Sequence, residues 1–186
     1  GTTVGDHDPL ARRMQHSLNA AVMHLDFAGT RIHIIDTPGG PDFLGQSLPA
    51  LEAVETAAVV INAVTGIEPM AVRMMEYAAS RHLDRLIIVN KIDAAPEKLP
   101  ALLEQIRSTF GKECLPLNLP DAGGTKVVDC FYNRDGHSDF GAVDAAHRAL
   151  VEQVVEVDAA FVDRYLNDGD VDPAELHAPL EQALRE

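Results

Sequence analysis

Leu86-Ile87-Ile88-Val89 is an unbroken apolar run, and a strand written this way calls for cover on both faces, as in a parallel sheet sandwiched between helices. The run is not isolated. Arg31 to Ile35 and the β-branched stretch Ala58-Val59-Val60-Ile61 also read as strands. Segments with apolar residues at helical spacing separate and follow them: Leu48 to Glu55, Glu68 to Arg81 with Met70, Met74, Tyr77 and Ala78, and Lys98 to Phe110 with Leu99, Leu102, Leu103, Ile106 and Phe110. Strand and helix therefore alternate, which predicts an α/β fold whose ligands sit at the carboxyl ends of strands. Upstream, Ala21 to Phe27 joins the Arg31 strand through Ala28-Gly29-Thr30, a hairpin signal. Residues 1 to about 18, with Gly1, Gly5, Asp6, Asp8 and Pro9, read as a loop carrying one helical turn.

The pattern changes near Gly111. Leu115 to Leu119 and Lys126 to Tyr132 are strand-like and flank Asp121-Ala122-Gly123-Gly124, and Asn133-Arg134-Asp135-Gly136 is a second turn signal. Two helices are expected to close the chain. The first spans Val143 to Leu166, and the second has Asp172 as N-cap, Pro173 in its first turn and Glu175 behind it. The domain expectation is a core over residues 1–111 and a small α+β module over 112–186.

Two polar motifs occupy strand ends. Asn90-Lys91-Ile92-Asp93 follows the buried-strand run directly. A carboxylate only accepts, so Asp93 can take two hydrogen bonds from the adjacent N–H and amino donors of guanine, a pattern adenine does not present. Asn90 can tie neighbouring loops together and the Lys91 stem can cover a face of the base. Asp36-Thr37-Pro38-Gly39 ends the earlier strand. There Asp36 can hold Mg²⁺ through a water, and Gly39 lets backbone N–H approach a terminal phosphate. Each run alone is also a common turn. Their order, with a helix-strand-helix unit between them, is what points to a guanine nucleotide. No G-x-x-x-x-G-K-[ST] loop, the phosphate cradle of such sites, occurs in the 186 residues.

These motifs resemble those of the translational GTPases, and specifically elongation factor G and its paralogues. Asp36-Thr37-Pro38-Gly39 with Asp42-Phe43 is similar to the opening of switch II, and Asn90-Lys91-Ile92-Asp93 to the base-recognition motif. Gly1 to Leu18 resembles switch I, with Ser17 where the family has its Mg²⁺-binding threonine. Cys114 to Pro120, and Tyr165-Leu166 through Leu184, resemble the insert subdomain of elongation factor G. The resemblance implies a P-loop NTPase-like GTPase domain lacking its P-loop strand and helix, with the insert as a small α+β subdomain. It also implies GTP or GDP and Mg²⁺ as cofactors, the ribosome and its stalk protein as partners, and a cytoplasmic location. Gly40-Pro41 stands where the family has a histidine that helps position the attacking water, so no catalytic residue is assigned. Met14-Gln15-His16-Ser17-Leu18 departs from the family's R-G-I-T-I, which suggests a divergent paralogue. Without the phosphate loop and the family's downstream S-A-[KL] segment, the sequence reads as part of a longer GTPase, itself inactive and binding nucleotide weakly or not at all. The rival expectation is a non-catalytic module of the same fold that serves as a binding or regulatory scaffold.

Composition narrows other classes. A net charge of −14 without a basic patch argues against direct nucleic-acid binding by this segment. The longest apolar stretch, Ala57 to Val64, is too short to span a bilayer, so no membrane role is expected. Cys114 and Cys130 form no C-x-x-C motif and suit a reducing compartment. The eight histidines include no H-x-x-x-H or H-E-x-x-H, so no structural metal site is expected, and His24 and His33 read as strand residues. Met70, Met74 and Met75 read as helix packing, and Val151 to Asp163 as a solvated acidic face. Ser47, Asp42 and His33 lack the G-x-S-x-G elbow of a hydrolase triad.

Overall fold

The computed structural model describes residues 4–5, 8–168 and 171–185. Part of the switch I-like stretch, at residues 1–3 and 6–7, therefore lies outside the described residues. The chain divides into two compact units, Gly1–Glu55 and Thr56–Glu186, and the strands among the described residues pair as three two-stranded sheets.

In the first unit, α1 (Pro9–Met14) starts where the Asp8 carboxylate accepts a hydrogen bond from Leu10 N–H at 2.8 Å. Gln15, left-handed at φ 59°, ends it. The expected hairpin follows as β1 (Ala21–Phe27) and β2 (Thr30–Asp36), antiparallel, with Phe27 opposite Thr30. Both connecting residues have positive φ, Ala28 at 48° and Gly29 at 81°, the combination that matches the right-handed twist of the flanking strands. His24 faces His33 across the ladder, as their strand placement anticipated. The next helix runs earlier than its apolar spacing predicts. α2 is Leu44–Ala50, and a single 3-10 turn, Leu51–Ala53, follows it. Pro49 lies inside α2 and removes one backbone donor from so short a helix.

The second unit opens with the only parallel pair among the described residues, β3 (Thr56–Asn62) beside β4 (Asp84–Asn90), joined through α3 (Pro69–Ser80). α4 (Leu99–Phe110) follows. One face of this sheet carries Val59 and Ile61, with Ile87 and Val89 alongside, and packs on Ala71 and Met75 of α3 and Leu99, Leu102 and Ile106 of α4. Met74 packs against the same cluster, so two of the three methionines serve packing as expected. The other face differs from the expectation of a fully buried strand. Val60 and Ile88, opposite one another in register, are 58% and 48% exposed. A continuous apolar run specifies that both faces want cover, but what supplies the cover is non-local.

Beyond Gly111, β5 (Asn118–Asp121) and β6 (Lys126–Asp129) form a hairpin shorter than the apolar pattern suggests. The Asp129 carboxylate accepts from the amides of Phe131 and Tyr132 at 2.8 and 2.9 Å, which takes those donors away from the ladder. Asn133 to Gly136 runs as irregular chain and closes no second hairpin. The expected helix over 143–166 is two helices, α5 (Val143–Val155) and α6 (Ala159–Asp168). Asp158 breaks it, accepting from Ala160 N–H at 2.9 Å in the manner of a cap. Glu152, Glu156, Asp158 and Asp163 are all exposed, as a solvated acidic face requires. Asp172 caps a 3-10 turn, Pro173–Glu175, through Ala174 N–H at 2.9 Å, and α7 (His177–Arg185) begins only after it. This part has its own core, with Leu119, Phe131, Leu150, Val151, Val154 and Leu176 among its buried members. Arg185 ties α7 to the start of β4, donating from Nε to Asp84 at 2.7 Å while its carbonyl accepts from Arg85 at 3.1 Å.

Candidate functional site

The parallel pairing of β3 and β4 sets Asn62 opposite Asn90, so both strands deliver an amide side chain to the same carboxyl end. Each amide organises the chain that follows it. Asn62 Oδ1 accepts from Val64 N–H at 2.9 Å, and Asn90 Oδ1 accepts from Lys91 N–H at 2.8 Å. The two loops are cross-linked by Ala63 N–H donating to the Asn90 carbonyl at 2.9 Å and by Lys98 Nζ donating to the Val64 carbonyl at 3.1 Å. Lys91 then turns left-handed at φ 58°, which reverses the chain into the 3-10 turn Ile92–Ala94. Such a φ is uncommon outside glycine and asparagine and marks a loop whose shape is imposed by its surroundings.

Ile92 points its side chain into the cluster of α3 and α4, while Asn90, Lys91 and Asp93 are exposed. The Asp93 carboxylate makes no hydrogen bond among the described residues, so its acceptor capacity is available to a ligand. Asn62 and Lys98 are members of this arrangement that the sequence reading missed. Their positions at a strand end and ahead of α4 carry no motif; the register of β3 on β4 reveals the first, and the Lys98–Val64 hydrogen bond the second.

In the first unit, Asp36 ends β2, with its carboxylate exposed and unbonded among the described residues. Pro38 is buried, and its carbonyl accepts from the buried hydroxyl of Ser47 at 2.8 Å, which fixes the loop to α2. That bond engages Ser47 as a donor, consistent with the absence of a nucleophile elbow. Gly39 is exposed, with no atom within 4 Å of where a Cβ would stand. At Gly40 a Cβ would lie 3.2 Å from Cδ2 of Phe43, whose amide donates to the Gly40 carbonyl at 3.1 Å. A side chain there requires the Phe43 ring to yield. Ser17, half-buried, lies in the irregular stretch after α1, and the neighbouring His16 ring is 5.9 Å from that of Phe43. The hydroxyl of Ser17 and the carboxylate of Asp36 are oxygen donors of the kind Mg²⁺ takes.

Among the described residues, three metal-ligating side chains also cluster on the second unit. Asp121 Oδ1 and His137 Nδ1 are 2.7 Å apart, and the Asp139 carboxylate lies beside them. Its hydrogen bond with Asp121, and the charge of that carboxylate, push the His137 imidazole up from its ordinary value, and the same hydrogen bond holds Asp121 down. Burial raises both thiols, Cys114 and Cys130, so neither is an activated nucleophile.

Comparison with known proteins adds to this geometry. Residues 1–174 match the family model described as the elongation factor Tu GTP-binding domain. The chain is 30% identical to an elongation factor G-like protein of Mycobacterium tuberculosis, over 99% of this chain and 28% of the relative. It is 30% identical to peptide chain release factor 3 of Listeria monocytogenes, over 91% of this chain and 31% of that one. A crystal structure of a Thermus thermophilus protein matches all of the chain with a TM-score of 0.84 at 30% identity, and the match covers 30% of that protein. The chain thus spans about a third or less of the length of the relatives it matches.

Proposed function

Because this chain belongs to the elongation factor Tu GTP-binding domain family, we propose that it carries the guanine-selecting and γ-phosphate-sensing parts of a translational GTPase resembling elongation factor G. The observation that carries the reading is the exposed, unbonded Asp93 carboxylate on a loop braced by Asn90, Asn62 and Lys98 at the carboxyl end of a parallel strand pair. In this reading Asp93 accepts from the guanine edge, Asn90 holds the loop, and the Lys91 stem covers the base. Ser17 and Asp36 serve Mg²⁺, Asp36 through a water, and Gly39 offers its amide to the terminal phosphate. Bound there, Mg²⁺ would neutralise charge on the phosphates.

The finer assignments rest on the same resemblance. In this reading the core comprises residues 1–111 and the insert 112–186, with α3–α4 and α5–α7 each contributing an apolar cluster and Phe140 packing on both. Ribosome-coupled hydrolysis, contact of the insert with the stalk protein, and a cytoplasmic setting belong to the whole protein. Among the described residues no helix is long and apolar enough to cross a membrane. Lacking the phosphate-loop motif, the 186 residues alone bind nucleotide weakly and do not hydrolyse it. Gly40, beside Phe43 where the family has a histidine, is the one observation on the side of the second reading, a non-catalytic module of the same fold acting as a binding or regulatory scaffold.

The test is an amide NMR titration of the chain with millimolar GDP and, separately, ADP. The reading expects GDP alone to shift the Asn90 to Asp93 amides, and Asp93→Ala to erase the difference. Equal response to both nucleotides overturns it. In the full-length protein, ribosome-stimulated hydrolysis decides for the switch, and nucleotide binding without it decides for the scaffold.

A further inference from the structure

The turn between β5 and β6 packs against the backbone of the base-recognition loop. A Cβ placed on Gly124 would stand 2.8 Å from the Asp93 amide nitrogen and 2.9 Å from the carbonyl carbon and oxygen of Ile92. The obstructing atoms are all backbone, so no side chain can swing aside to admit one. The approach depends on glycine twice, since Gly124 also has φ 83°. Ala122 and Gly123 before it are left-handed as well, at φ 51° and 65°, and the turn is anchored from its far side. Gly123 N–H donates to the Asp139 carboxylate at 2.8 Å, and Asp121, at the end of β5, is paired with His137. The Ser138 hydroxyl, between the two, donates to the Pro120 carbonyl at 2.7 Å. Segment 137–139 therefore grips the turn, and the turn abuts the peptide bond that leads into Asp93.

We propose that the β5–β6 turn is a positioning element for the guanine site: Gly124 supports the Ile92–Asp93 backbone and so sets where the Asp93 carboxylate meets the base. Asp93 is held from two sides, by Ile92 anchored in the α3–α4 core and by Gly124 outside it. Anything that displaces the hairpin is then transmitted to base selection without touching nucleotide. The inference rests on the reading of Asp93 as the guanine acceptor only for its consequence, not for the contact itself.

A pair of substitutions isolates the contact. Gly123 and Gly124 both have positive φ, so alanine strains the backbone in either place, but a Cβ at Gly123 meets nothing within 4 Å. Gly124→Ala is expected to shift the Ile92 and Asp93 amide resonances while Gly123→Ala leaves them in place. If both variants leave those resonances unmoved, or both move them alike, the positioning role is overturned. Asp139→Ala, at an exposed site, releases the turn without a clash and covers the case in which Gly124→Ala fails to fold. It is expected to speed hydrogen exchange at Ala94, whose amide donates to the Lys91 carbonyl at 3.1 Å, severalfold over wild type, and unchanged exchange counts against the proposal. At millimolar nucleotide, the preference for GDP over IDP, which lacks the guanine amino group, should fall by roughly tenfold in Gly124→Ala, the scale of one charge-assisted hydrogen bond weakened. If Asp93→Ala leaves the wild-type preference intact, the reading of Asp93 fails while the amide shifts still decide the contact.

Discussion

The two polar motifs end strands of very different standing. Asp36 closes a hairpin whose side chains are mostly exposed, with Val22 and Phe27 72% and 69% accessible, and the described buried residues of its unit are Ala11, Pro38 and Ser47. Asn90 closes a strand whose neighbour carries Ile61, 2% exposed, into a cluster shared with two helices. An isolated two-stranded hairpin is at best marginally stable in water, whereas a parallel pair with helices packed on one face owes its order to burial. The loop proposed to recognise the base thus stands on a core, and the loop proposed to sense phosphate stands on a ladder, one tight turn and one serine hydrogen bond. A switch of the proposed kind would need this asymmetry, because a segment that responds to γ-phosphate cannot also be the most firmly held.

The largest effect that would break this contrast is a core truncation. Ile61→Ala should cost about 2–5 kcal/mol and unfold the Asn90 loop with its strand, while Ile34→Ala on exposed β2 should cost under about 1 kcal/mol. Chemical denaturation followed at amides of both units reads both, and equal costs would abolish the distinction. Next, Asp84→Ala removes the acceptor for Arg185 at the start of β4. We expect about 1–3 kcal/mol, since the Asp84 side chain is nearly buried although the guanidinium is half exposed and can hydrate. The loss should appear at α7 amides and leave β1–β2 untouched. In the first unit, Ser47→Ala should cost about 1–2 kcal/mol by orphaning the Pro38 carbonyl and should loosen the Asp36 to Gly39 loop, seen as faster exchange there alone. Smallest is Gly29→Ala, about 1 kcal/mol from strain at φ 81°, confined to the hairpin.

The elements on which this contrast rests were largely legible in the sequence, the contrast itself was not, and the limit of legibility is physical. The strands around Val59 and Ile87, the helices at Met74 and Leu102, and the two motifs at strand ends follow from short-range periodicity, which the chain writes locally. The break at Asp158 was also local in cause, but an apolar spacing that continues through Val157 and Phe161 concealed it. The exposed outer face at Val60 and Ile88, the register that pairs Asn62 with Asn90, and the seating of Gly124 on Asp93 were not legible. Each depends on residues distant in sequence meeting in space. Gly123-Gly124 announced a turn without announcing what the turn would touch.

The bare face of β3 and β4 also bears on how the protein behaves in the test tube. Val60 and Ile88 sit opposite each other on an apolar surface, in a chain with a net charge of −14 that makes copies repel. The reach of that repulsion shrinks from about 10 Å at 0.1 M salt to about 3 Å at 1 M. Colloidal behaviour should therefore invert the usual laboratory reflex: adding salt should bring the molecules together, light scattering should rise with ionic strength, and Val60→Lys should flatten the curve.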